Sequence, residues 1–137
     1  MKPCVAPQAL KTMKDRVREI TKRRRGRRLQ SVVDELRGYL VGWKNYFKLA
    51  EVPTVFKALD EWIRHRLRAV QLHQWKQPAT VAYELRRRGI SADAARSAAV
   101  HWHSKWRCAA HKTLNIALPI RHFDSLGLPR LAATSTR

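Results

Sequence analysis

Ten carboxylates, six histidines and two cysteines are the side chains of this 137-residue sequence that could hold a metal or move a proton. Metal-dependent phosphoryl chemistry needs carboxylates gathered around Mg²⁺. The acids are Asp15, Glu19, Asp34, Glu35, Glu51, Asp60, Glu61, Glu84, Asp93 and Asp124. The two adjacent pairs fall in helical patterns, where neighbours point about 100° apart and share an ion poorly. Nearby arginines are their expected partners. His101, His103, Cys108 and His111 make a His-x-His-x₄-Cys-x₂-His string. The ligand types suit zinc, but the spacing is looser than that of paired zinc ligands. Histidine beside tryptophan in a basic chain reads first as packing or phosphate contact. Gly26 stands without a following Gly-Lys-Ser/Thr, and no Gly-x-Ser-x-Gly occurs. The sequence thus names no catalytic residue, metal ligand or cofactor site, and the chain is not expected to be an enzyme on its own.

The chemistry the sequence does advertise is cationic. Lys+Arg number 29 against 10 Asp+Glu, a formal net charge of +19. Such an excess repels itself in a folded chain and calls for a polyanion, nucleic acid before all others. A membrane surface fits less well, because the basic residues are spread along the whole chain rather than along one amphipathic face. The densest run is Lys22-Arg23-Arg24-Arg25-Gly26-Arg27-Arg28, six cations around one glycine with no acid among them. These six, with Lys44, Arg64, Arg66, Arg68 and Lys76, are the expected nucleic-acid-binding residues. Of the five tryptophans, Trp43 and Trp62 fall on apolar stripes. Trp75, Trp102 and Trp106 do not, and one of them could stack on an unpaired base.

These side chains must be positioned by helices. No stretch alternates strictly enough for a strand. The central element is Leu36–Phe47, where Tyr39, Leu40, Trp43, Tyr46 and Phe47 continue a stripe begun by Leu29, Val32, Val33 and Leu36. Gly38 and Gly42 lie off that stripe. Each costs roughly 1 kcal/mol in a helix relative to alanine, so a break or a close backbone approach is expected there. The reading is a short helix over Leu29–Leu36 stopped by Gly38, then an aromatic helix to about Ala50. Before it, Met1–Pro7 reads as an extended lead and Gln8–Arg25 as a helix with a Leu10, Met13, Val17, Ile20 seam. After it, Thr54 should cap a long helix over Val55–Trp75. Its inward residues are Val55, Phe56, Leu59, Trp62, Ile63, Leu67 and Val70, and its C-terminal half is basic. With Trp43, Tyr46 and Phe47, the residues Phe56, Leu59, Trp62 and Ile63 make the expected core. Pro78 breaks the pattern. Helices over Thr80–Arg88, ended by Gly89, and over Ala92–Val100, capped by Ser91, come next. His101–Ala110 should be an irregular loop, with helical turns at Lys112–Leu118 and Ile120–Leu126. Gly127 and Pro129 should end the fold before a frayed Ala132–Arg137. The expected class is all-α: a three-helix bundle over residues 1–76 and a small helical extension over 77–137 packed on it.

Several stretches carry a resemblance. They are Asp15–Thr21, the basic loop, Leu29–Leu36 and, above all, Gly42-Trp43-x-Asn45-Tyr46-Phe47. Phe56, Leu59, Asp60, Trp62, Ile63, Arg64, Arg66, Leu67 and Trp75-Lys76 continue it. So do Trp106-Arg107, Leu114-Asn115-x-Ala117-Leu118 and Leu126-Gly127-Leu128-Pro129. Together they resemble the maturase-specific (X, or thumb) domain of group II intron-encoded reverse transcriptases, over nearly the whole chain. The resemblance implies a domain that grips intron RNA to help it fold and splice. In the full-length enzyme it would also clamp the RNA–DNA template–primer. The family's Tyr-x-Asp-Asp palm motif is absent, so a palm encoded upstream is an implied partner. Many relatives have proline where this chain has Gly38, which supports the break. No His-Asn-His endonuclease pattern follows.

Two further readings compete: a non-autonomous or non-functional remnant of a truncated reverse transcriptase, and an unrelated general basic nucleic-acid-binding protein. Cys4 and Cys108 suggest no disulfide framework, and no apolar run approaches the roughly 20 residues of a membrane span. The expectation is a soluble, bacterial-type cytoplasmic protein.

Overall fold

A computed structural model describes residues 7–22, 28–46 and 53–132, with Tyr46 and Pro53 described by their backbone alone. Arg23, Arg24, Arg25, Arg27 and Phe47, and the side chain of Tyr46, lie outside the described residues. The expected class holds: among the described residues there are helices and connections and no strand. The helices are α1 (Pro7–Lys22), α2 (Leu29–Tyr46), α3 (Pro53–Trp75), α4 (Pro78–Arg87), α5 (Ala92–Ala99), α6 (Lys105–Ala110), α7 (Lys112–Ala117) and α8 (Ile120–Ser125). The chain divides into two compact units, Met1–Ile63 with Asp124–Arg137, and Arg64–Phe123.

In the first unit, Met13, Val17 and Ile20 of α1 are buried, as are Val32, Val33, Leu36, Leu40 and Trp43 of α2 and Phe56, Leu59 and Ile63 of α3. Each full burial of a large aliphatic or aromatic side chain contributes about 1.5–3 kcal/mol. Trp43 meets Phe56 edge to face, with ring centroids 5.6 Å apart. Trp62, expected in this core, is only half-buried. Its indole face instead receives Lys14 at 5.8 Å and Arg18 at 5.2 Å. A ring that carries two cations has to remain near water, because the cations cannot be desolvated cheaply.

Gly38 does not stop a helix. α2 runs unbroken through it, and among the described residues the glycines with positive φ are Gly89 and Gly127. Nor does another backbone come close: a Cβ added at Gly38 or Gly42 would meet nothing within 4 Å. The buried stripe of α2 stays in phase across both glycines, and its burial outweighs two penalties of about 1 kcal/mol each.

The C-terminal segment also departs from expectation. Gly127 turns at φ 99°, and the chain beyond it is not frayed as far as Ala132. Leu128 and Leu131 are buried. Gln30 donates to the Leu126 carbonyl at 2.8 Å, and Lys44 donates to the Arg130 carbonyl at 2.7 Å. Asp60 accepts the Leu131 amide at 2.8 and 3.1 Å and the Ala132 amide at 2.9 Å. A carboxylate holding backbone N–H groups makes charge-assisted bonds, about twice as strong as neutral ones. The segment is therefore a strap tied to the helices of this unit.

In the second unit, Leu67, Val70 and Leu72 of α3, Val81 and Leu85 of α4, Ala95 and Ala98 of α5, and Cys108, Leu114, Leu118 and Phe123 are buried. Ser91 caps α5 as expected, its Oγ accepting the Ala94 amide at 3.2 Å. The loop expected over His101–Ala110 is half helix: Ser104 accepts the Arg107 amide at 3.3 Å and opens α6. Burial of Cys108 and Ala109 holds that short helix in place.

Candidate nucleic-acid interface

Among the described residues, five carboxylates are taken up by ion pairs with cations close by in sequence. Asp15 pairs with Lys11 and Arg18, Glu19 with Arg16, and Glu84 with Arg88. Asp93 pairs with Arg96 and Asp124 with Arg130. The hydrogen bond from Lys11 lowers the Asp15 pKa; burial opposes it, and the charges of Lys11 and Arg18 add to the lowering. Most of these pairs are surface contacts, worth roughly 0–1 kcal/mol each. Their consequence is chemical: no three His, Cys, Asp or Glu side chains converge on a metal-sized point among the described residues.

The His-x-His-x₄-Cys-x₂-His string does not close into a ligand set. The Cys108 Sγ donates to the Ala98 carbonyl at 3.3 Å, and burial pushes its thiol pKa up. The His111 Nδ1 accepts the Thr113 amide at 3.1 Å and caps α7. Burial first, then the charges of His101 and Lys112, lower the His111 pKa. That agrees with an unprotonated Nδ1.

The expected RNA-binding residues separate into two groups. Lys22 and Arg28 are exposed on either side of the basic loop, and Lys44 and Lys76 are exposed as well. Arg66 is half-buried. Lys76 follows α3 with φ 68°, an uncommon conformation for a residue with a Cβ. Arg64 and Arg68, in contrast, are interior, at 1% and 6% exposure. The Arg68 Nε donates to the Leu118 carbonyl at 2.9 Å, and its guanidinium lies 5.5 Å from the Phe123 ring centre. Burial and the neighbouring Arg64 both lower the Arg68 pKa. Neither guanidinium is presented to a ligand; Arg68 closes the second unit's own core. An open groove of about 520 Å³ runs along α1, lined by Asp15, Arg16, Arg18, Glu19 and Lys22. Its carboxylates and cations pair with one another, so it is a mixed-charge surface rather than an anion site.

The structure adds cations that motif reading passes over. Arg86, Arg87, Arg88, Arg96, Arg107, Lys112 and Arg121 are exposed in the second unit, and so are His103 and Trp106. One sequence signal points to Arg107, Lys112 and Arg121: between Asp93 and Asp124 there is no acid at all. Those thirty residues carry no acid of their own, and Arg96 reaches back to Asp93 at 2.6 Å.

Among the described residues, no helix is long and apolar enough to cross a membrane. A family model described as group II intron, maturase-specific domain matches residues 10–89. That span runs from α1 through α4 and contains the basic loop. No curated protein matches the chain.

Proposed function

Because the chain belongs to the group II intron maturase-specific domain family, we propose that it is an RNA-binding domain that helps group II intron RNA fold and splice. The family match over residues 10–89 carries this reading. The charge of +19 supports it. So does the exposure of Lys22, Arg28, Lys44 and Lys76 to solvent. The contact set we propose is Lys22, Arg23, Arg24, Arg25, Arg27 and Arg28, with Lys44, Arg66 and Lys76. Arg64 and Arg68 leave that set because they are interior.

Phosphate contacts from these groups give affinity and orientation without reading sequence. An RNA that must fold against its own phosphate repulsion is helped by a surface that neutralises several phosphates at once. The chain does no bond chemistry in this scheme. Joined to a polymerase palm, the same surface would clamp a template–primer duplex.

The test is splicing of a group II intron precursor at a magnesium concentration too low for efficient self-splicing. Added chain should raise the rate of lariat formation and should bind the intron RNA. No binding to intron RNA at physiological salt would refute the reading. Binding without a splicing effect would reduce it to RNA attachment.

A further inference from the structure

Trp106 is the one exposed tryptophan of the five. Trp43 is buried, and Trp62, Trp75 and Trp102 are half-buried. Those three also carry a cation on the ring. Arg18 lies 5.2 Å from the Trp62 ring centre, Arg88 lies 5.3 Å from that of Trp75, and Lys105 Nζ lies 3.7 Å from that of Trp102. Trp106 differs. His65 stacks on it nearly parallel, with ring centroids 3.5 Å apart and an interplanar angle of 16°. The His65 Nε2 bonds to the Trp106 carbonyl at 2.8 Å. A carbonyl only accepts, so that nitrogen carries the hydrogen, and the bond fixes the imidazole against the indole. The stack is therefore rigid, yet Trp106 keeps 45% of its surface in solvent.

A flat aromatic held in place and left half open costs apolar exposure without any gain in this chain. Its surroundings indicate what would cover it. Trp106 sits inside the acid-free stretch between Asp93 and Asp124, next to exposed Arg107 and near exposed His103 in sequence. Lys105 is engaged elsewhere, donating to the Trp102 carbonyl at 3.0 Å. An occupant with a flat π-face and an adjoining negative charge is a nucleotide of an unpaired strand. It would stack its base on the indole and set its phosphate toward Arg107. We propose that Trp106, backed by His65, is a stacking platform for an unpaired base. Trp106 lies outside the matched span and His65 inside it, and the proposal rests on the RNA-binding reading above.

The test uses three probes: a short single-stranded RNA, its abasic counterpart with the same phosphates, and a blunt RNA duplex. Wild type should bind the base-bearing strand about tenfold more tightly than the abasic one, the scale of one aromatic–base stack. W106A should lose that preference while keeping its affinity for the abasic strand and the duplex. W106F should retain most of the preference. Should W106A not fold, W106F assigns the Trp106 indole N–H resonance in the wild-type spectrum. That resonance should shift with the base-bearing strand and stay still with the abasic one. Equal wild-type affinity for the two strands, or an indole that does not move, overturns the platform. Equal loss on all three probes overturns it too and makes Trp106 structural. An unchanged preference in folded W106A overturns it and leaves the ring for a protein partner. Failure of wild type to bind any probe is a different result: it removes the RNA-binding reading itself.

Discussion

A guanidinium in the interior does a different job from one in water, and α3 holds both kinds. Arg64 and Arg68 lie one turn apart and are buried, while Arg66 between them is half-buried. Spacing alone places all three in the basic C-terminal half of α3 and does not separate the interior pair, because the partners of Arg68, Leu118 and Phe123, lie some fifty residues further along the chain. No local pattern reports such a distant acceptor. Trp43 is legible for the opposite reason: its stripe is local and complete within α2. Trp43→Ala should cost roughly 3–5 kcal/mol, as large aromatic truncations in cores do, and chemical denaturation should show a weakened or earlier cooperative transition. A folded variant with unchanged stability would contradict its burial. His122 gives a pH signature. Burial, then the charges of Arg88 and Arg68, lower its pKa below the usual 6.5. The unfolded chain therefore takes up its proton first as pH falls, and stability drops from about pH 6.5 downward until the folded-state pKa is passed. The melting temperature should fall as pH is lowered through the histidine range, roughly pH 8 to 5, and His122→Asn should make the fall smaller. A fall of equal size in the variant would assign it to other groups.

At the scale of elements, the seams of α1, α2 and α3 can be read from spacing, as can Ser91 as a cap and Gly89 as a stop. Continuity and return cannot. Gly38 reads as a stop because glycine commonly ends helices. The buried residues on both sides of it keep α2 whole. With φ outside the left-handed region and nothing within 4 Å of an added Cβ, Gly38→Ala and Gly42→Ala should each stabilise by about 0.5–1 kcal/mol. Thermal melts of the single and double variants check this, and a loss of stability would mean α2 is not continuous. The strap leaves no mark in the sequence pattern because its anchor is a carboxylate that bonds backbone amides seventy residues away. Asp60→Ala leaves those amides without their acceptor. It should cost about 1–3 kcal/mol and should speed tryptic cleavage at Arg130. Unchanged cleavage at Arg130 would show that the strap is held by Leu128 and Leu131 alone.

The whole molecule is dominated by charge. The acids described are largely spent on neighbouring arginines and lysines or on the strap, and the formal net charge of +19 calls for an anionic partner. Composition alone states that need. It does not choose between RNA, DNA and other polyanions; the match to the maturase-specific family over residues 10–89 is what turns the reading toward intron RNA. The central claim is that the chain holds RNA through phosphate contacts concentrated in the Lys22–Arg28 run. Those contacts release condensed counterions, so log K should fall with log salt by about 0.7–0.9 for each phosphate neutralised. The direct measurement is a salt titration of RNA binding by wild type and by a chain with Arg24, Arg25, Arg27 and Arg28 replaced by Ser. Circular dichroism serves as the fold control. The variant should stay helical and bind intron and unrelated structured RNA more weakly. Its salt slope should be flatter by about 0.7–0.9 for every phosphate it no longer neutralises. An unchanged slope with intact helices would contradict the account, and weakened binding to intron RNA alone would replace phosphate contact with specific recognition by this loop.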